Sequence, residues 1–204
     1  MQPVINHWVH ITTRTIIKDG SPLLSFSTPF NSSAPEEVYR KLECNYPKFF
    51  KMDLLCKWAW LGAEILLRDG DGFVCDGWDK TKIGIVLSTA AGCFEVDKKY
   101  KESIASIPSP ALFVYTLPNI MLGEICIKHG IKGEQACVVK DGFDADELFF
   151  LVDDLLRNRD MNACICGWVD ATAESHDVNV CWVTKATSGT VFSTETLQNI
   201  YSGK

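Results

Sequence analysis

No apolar run in the 204-residue chain approaches the roughly 18 residues that a membrane-spanning helix needs. The N-terminus also lacks the basic stretch and apolar core of a secretory signal. Basic charge is in short supply. Lys and Arg number 20 against 26 Asp and Glu, leaving a formal net charge of -6, so the electrostatic footprint of a nucleic-acid or anionic-membrane surface is missing. Neither a Gly-x-Ser-x-Gly elbow, a P-loop nor a dinucleotide fingerprint occurs, so the chemistries that depend on them lose their usual signature. Internal repeats and a linker rich enough to divide the chain are also lacking, and one domain over 1–204 is expected. Cysteine, by contrast, is plentiful. There are nine, an odd number scattered through apolar segments, which reads as reduced core thiols in a cytoplasmic setting and not as a disulfide framework.

The pattern along the chain alternates strand and helix. Val4 to Ile17, rich in Val, Ile and Thr, suits one opening strand that runs on to a turn at Lys18, Asp19 and Gly20. Ser25 to Ala34 reads as loop, and Pro35, Glu36 and Glu37 start a short helix reaching about Cys44. Asp53 to Arg68 carries apolar residues at helical spacing and is stopped by Asp69-Gly70-Asp71-Gly72. A doubly covered strand follows at Lys82 to Ser88, then a helix from Phe94 to Ile104, the breakers Pro108 and Pro110, and a helix from Pro118 to His129. Gln135 to Lys140 is a second apolar strand. Asp144, with Glu147 three residues on, caps a helix to about Arg159 whose stripe is Leu148, Leu151, Val152, Leu155 and Leu156. Met161 to Val169 and Val178 to Lys185 are further strands, the pair forming a hairpin. The class is α/β, with a layered sheet.

Several of these segments resemble a known family. Ile83-Gly84-Ile85-Val86-Leu87-Ser88-Thr89, Pro108-Ser109-Pro110-Ala111-Leu112-Phe113, Tyr115-Thr116-Leu117-Pro118-Asn119, Gly123-Glu124-Ile125, His129-Gly130-Ile131-Lys132-Gly133 and Cys166-Gly167-Trp168-Val169-Asp170-Ala171 together resemble the N-terminal half of the β-ketoacyl synthases of the thiolase-like superfamily. Upstream, Tyr46-Pro47-Lys48-Phe49-Phe50-Lys51-Met52-Asp53 is similar to the early segment of short ketosynthase-like proteins of aryl-polyene and related polyketide or fatty acid pathways. The resemblance implies a thiolase-like half with a five-stranded mixed sheet and helices on both faces. It places Phe113, Thr116 and Asn119 next to an acyl pocket and dimer contact, and makes Gln135, Cys137, Val138 and Val139 an edge strand that pairs across a dimer axis.

The departures from that pattern bear on chemistry. In an active ketosynthase a tight turn presents a nucleophilic cysteine at a helix start, where backbone N–H groups and the dipole stabilise thiolate and oxyanion. Counting from Lys132-Gly133 puts Gly142 at that position, between Asp141 and Phe143, so the elbow is degenerate and no catalytic residue is assigned. Asp141, Asp144, Asp146 and Glu147 further oppose negative charge there. The family's two activating histidines belong to a C-terminal half that these residues do not include. Cys137 is the alternative nucleophile and Cys93 another, although Cys137 inside a strand reads better as a packed thiol.

Other candidates have bland readings beside their sharp ones. Cys164 and Cys166 share a strand face with Cys181 opposite, but their spacing does not suit zinc. His7 and His10 point to opposite faces of a strand, and His129 looks like a structural residue at a helix C-terminus. The Asp69 to Gly72 run departs from a calcium loop at Val74 and Lys80. Two lysine groups, Lys48, Lys51 and Lys57, and Lys98, Lys99 and Lys101, suit either a solvated face or an acidic acyl carrier protein. The expected function is a catalytically inactive ketosynthase-like subunit without metal or cofactor, forming a homodimer or a heterodimer with a ketosynthase-like protein and meeting neither nucleic acid nor membrane. The alternatives are an active 3-oxoacyl carrier-protein synthase or acyltransferase using an unrecognised cysteine, and an acyl-binding module.

Overall fold

A computed structural model describes residues 2–25 and 34–203. The chain opens with an antiparallel meander of β1 (Val4–Ile11), β2 (Thr15–Lys18) and β3 (Ser21–Ser25), followed by α1 (Ala34–Lys41), a 3-10 turn (Pro47–Lys51) and α2 (Leu54–Leu67). A small hairpin, β4 (Arg68–Asp69) with β5 (Gly72–Phe73), leads to β6 (Ile83–Thr89), α3 (Phe94–Ile104), α4 (Pro110–Phe113) and α5 (Ile120–His129). Then come β7 (Gln135–Val139), α6 (Ala145–Asn158), β8 (Ala163–Ala171), β9 (His176–Thr184), β10 (Thr190–Val191) and α7 (Thr194–Ser202).

The main sheet has the order β3-β2-β1-β9-β8-β6-β7, with β10 added beside β1, eight strands where five were expected. Two of the extra strands, β2 and β3, come from the N-terminal region and the third, β10, from the C-terminal tail. The expected single strand from Val4 to Ile17 is folded back on itself, because the Thr12 hydroxyl accepts from the N–H groups of Arg14 and Thr15 and turns the chain there. A threonine-held turn leaves none of the Gly or Pro marks that pattern reading relies on. Most of the expected Ser25 to Ala34 loop lies outside the described residues. β6 pairs in parallel with both β7 and β8, whereas β8, β9, β1 and β2 pair antiparallel, so the sheet is mixed.

Helices cover both faces. α2 is buried nearly all round, and with α5 it packs on Ile83, Ile85 and Leu87 of β6, Ile165 of β8 and Val180 and Trp182 of β9. On the opposite face, Leu148, Val152 and Leu156 of α6 and Leu197 and Ile200 of α7 pack on Val86, Cys164, Cys166 and Cys181. β9 inserts between β1 and β8 at the centre of the sheet, and the unanticipated helix α7, capped by the Ser193 hydroxyl, joins α6. Among the described residues no helix is long and apolar enough to cross a membrane.

Candidate functional site

The end of β7 and the start of α6 form the elbow on which the sequence focuses attention. The Lys140 backbone N–H donates to the Thr89 carbonyl at 2.9 Å, which fixes the strand end. Asp144 is the N-cap of α6, its Oδ1 accepting from the Glu147 N–H at 3.0 Å. The Lys140 ammonium pairs with the Asp144 carboxylate and, at 3.0 Å, with Glu147. This pairing, with the cap bond, holds Asp144 below the usual carboxylate range. Two of the four acids expected to crowd the elbow therefore share one ammonium, and the helix terminus that would stabilise an anion already holds one.

Gly142 lies in this segment on the wall of an open groove of about 720 Å³, which runs between Lys140 to Asp146 and the α7 residues Thr194, Glu195, Gln198 and Asn199. A Cβ built on Gly142 meets nothing within 4 Å. The turn thus has room for a side chain and simply carries none. Phe143 stacks on the Tyr201 ring at 4.2 Å and anchors the turn to α7.

The cysteines offer little as replacements. Cys137, opposite Leu87 on β6, packs against the α2 side of the core, and burial pushes its thiol up to about 11. Cys93 stands at the N-cap of α3, but its Sγ donates to the Thr116 carbonyl at 3.1 Å and faces the Asp97 carboxylate at 3.4 Å. Burial first, and Asp97 second, push it up to about 11 as well, the opposite of what a nucleophilic thiol needs. Cys166 lies directly opposite Cys181 as anticipated, with Cys164 two residues away, all three fully buried.

Phe113, Thr116 and Asn119 fall in the α4–α5 connection. The Phe113 ring is exposed and tilts against Tyr100 at 5.5 Å, the Thr116 hydroxyl donates to the Phe113 carbonyl, and Asn119 caps α5 without a side-chain bond. The cleft behind them is lined by their neighbours Ala111, Leu112 and Tyr115 instead. Asp170, quoted only as part of a strand motif, organises the turn after β6: one carboxylate oxygen accepts from the Thr89 hydroxyl and from the N–H groups of Ala90 and Ala91 at 2.8–3.0 Å. A turn whose N–H groups converge is an anion cradle, and here the chain fills its own. Only a long-range partner reveals this, so the sequence carried no signal for it.

His7 and His10 separate as expected, His7 onto Asp19 and His10 onto Asp177. His129 is buried in the last turn of α5, where burial drives its pKa down to about 4 and the ring packs edge-on against Phe73 as a neutral imidazole. β7 forms an edge of the sheet, with Gln135 and Val139 exposed and Cys137 and Val138 half-buried.

No protein-family model and no curated protein matches the sequence. Solved structures do match. The ishigamide ketosynthase/chain length factor aligns over 94% of this chain and 64% of its own, with a TM-score of 0.66 and 15% identity. The fold is that of a ketosynthase. A type II polyketide synthase acyl-carrier protein in complex with its ketosynthase bound to the hexaketide aligns over 90% of this chain and 62% of its own, at 11% identity and a TM-score of 0.59. The ketosynthase ApeO in complex with its chain length factor ApeC from Xenorhabdus doucetiae aligns over 100% of this chain and 91% of the other, at 12% identity and a TM-score of 0.58. The chain thus spans less than two thirds of the first two structures and 91% of the third.

Proposed function

We propose that this ketosynthase-like chain is a non-condensing partner subunit of a fatty acid, polyketide or aryl-polyene synthase, of the kind that shapes an acyl tunnel beside an active ketosynthase. The observation that carries the reading is Gly142 at the elbow, where the sequence resemblance would put the nucleophile. The cap carboxylate of Asp144 at the adjacent helix terminus supports it, as do the raised thiols of Cys137 and Cys93. The likeness to structures described as a ketosynthase with its chain length factor, and as a ketosynthase with its acyl-carrier protein, supports partners of those two classes. Association through the β7 edge, as a homodimer or with a ketosynthase-like chain, completes the proposal. Nine free thiols among the described residues suit a reducing, cytoplasmic location.

The test is mass spectrometry of the purified chain after incubation with acyl- and malonyl-loaded carrier proteins. No covalent acyl adduct is expected. A stable adduct abolished by Cys137→Ala or Cys93→Ala would replace the partner reading with an acyltransferase.

A further inference from the structure

The turn that follows β6 is held by a residue from another strand. Three donors converge on one oxygen of Asp170: the Thr89 hydroxyl at 3.0 Å and the N–H groups of Ala90 at 3.0 Å and Ala91 at 2.8 Å. Gly92, with φ near 54°, turns the chain so that its own N–H donates to the Thr89 hydroxyl oxygen at 3.2 Å. That bond leaves the Thr89 proton to point at the carboxylate. Successive N–H groups in such a turn form a concave anion site.

The cradle by itself retains this carboxylate. Asp170 forms no ion pair with Lys, Arg or His among the described residues, and its hydrogen bonds all come from the turn. Directly opposite it on β9 stands Asp177, a like charge that disfavours the arrangement. Asp177 is engaged elsewhere, by the Tyr201 hydroxyl at 3.0 Å and by His10 at 3.2 Å. The turn therefore holds an anion without a cation and against a facing carboxylate. The elements that follow have little else to anchor them, because α3 buries only Val96 and α4 buries no residue. A second tie to α3, from the Ala173 N–H to Glu95, is longer at 3.3 Å. Segments with so little burial open locally unless they are fastened.

We propose that the Thr89–Gly92 turn is an oxyanion site for a small carboxylate, that Asp170 is its resident ligand, and that occupancy of the site fastens α3 and α4 to the sheet. Ala90 is exposed and Asp170 half-buried, so a dissolved anion can reach the turn once the side chain is removed. The proposal uses neither the elbow nor the β7 edge and does not depend on whether the chain serves as a partner subunit.

The test is amide hydrogen exchange of the full chain carrying Asp170→Ala, with formate as the free ligand. Without formate, exchange over residues 90–104 should rise at least about tenfold, as the loss of hydrogen bonds to a charged group implies, while β9 and the rest of β8 keep their protection. Formate should reverse the rise saturably, whereas chloride at equal ionic strength and neutral formamide should not. Asp170→Asn, which retains one acceptor oxygen, should give an intermediate rise. Asp177→Asn removes the facing charge without touching the turn and should leave exchange over 90–104 no faster than in the wild type. Should Asp170→Ala not fold, its refolding yield in formate against chloride reads the same contrast. Unchanged exchange in Asp170→Ala, a rise spread equally over β8 and β9, or a rise that formate reverses no better than chloride would overturn the proposal.

Discussion

Two glycines in the sheet and elbow face opposite steric situations. At Gly167, in the middle of β8 with φ near 154°, an added Cβ would lie 2.0 Å from the Asn179 carbonyl oxygen and 2.8 Å from the Val180 Cα of the neighbouring strand. Backbone cannot yield there as a side chain would, so Gly167→Ala is expected to cost about 3 kcal/mol or more. Gly142, with open space around its Cβ, should accept Ala or Cys within about 0.5 kcal/mol. Urea denaturation of the variants side by side measures both, and a Gly142 variant as unstable as the Gly167 variant would contradict the open geometry of the elbow. His129 sets a pH dependence at the same scale. Its folded pKa of about 4 lies below the ordinary 6.5, because burial and the nearby Lys128 and Lys80 outweigh Asp76, and the Glu64 carboxylate, 3.8 Å away, is itself paired with Arg68. Between these values the unfolded chain holds a proton that the folded chain does not, so stability is full above about pH 6.5 and declines as pH falls toward 4. The loss from this residue is on the order of 3 kcal/mol. His176, also lowered to about 4 by burial, adds in the same direction. Denaturation at pH 7.5 and 4.5 should show the decline, and His129→Gln should flatten it markedly; an unchanged slope in that variant would mean that His129 does not titrate in this range.

Among the elements, α2 and β7 differ most in how their surroundings use them. α2 is apolar almost all round, and its cap Asp53 satisfies the first N–H groups, which makes it the buried centre of one layer. Among the described residues β7 is held on one side only, by β6 in parallel register, and no other strand pairs with its outer row of backbone N–H and C=O groups. An uncovered apolar edge is a template for pairing with another chain, and Val139 on it is 61% exposed. If the proposed assembly uses this edge, Val138→Lys should shift the sedimenting species toward monomer while circular dichroism stays unchanged. A wild-type chain that sediments as a monomer, or a variant assembly as tight as the wild type, would place the contact elsewhere. The elbow itself is an element-scale device: Asp144 caps α6 while Lys140 bridges Asp144 and Glu147, so the turn is tied to the helix start by its own charges.

At the scale of the whole molecule, the sheet is shared by two apolar layers, one under α2 and α5, the other under α6 and α7. Because neighbouring strands contribute side chains to both layers, loss of packing in either should weaken the same cooperative unit. Leu61→Ala in one layer and Leu156→Ala in the other, both fully buried, should each cost about 2–5 kcal/mol and lower one common transition seen by tryptophan fluorescence and far-ultraviolet circular dichroism. Separate transitions by the two probes would show that the layers unfold independently. The chain order itself determined much of this architecture. Helical spacing in α2 and α6, the Asp53 and Asp144 caps, the doubly apolar run of β6 and the alternating class are local properties, written in residues close together along the chain. The break of the first strand at Thr12 is local but carries no Gly or Pro mark, whereas the placement of β9 at the sheet centre and the packing of α7 were decided by tertiary structure, since both depend on pairing or packing across long separations. The candidate sites divide in the same way. Gly142 at the elbow could be located by counting, but the Asp170 carboxylate reaches the turn after β6 only because folding brings distant segments within hydrogen-bonding distance.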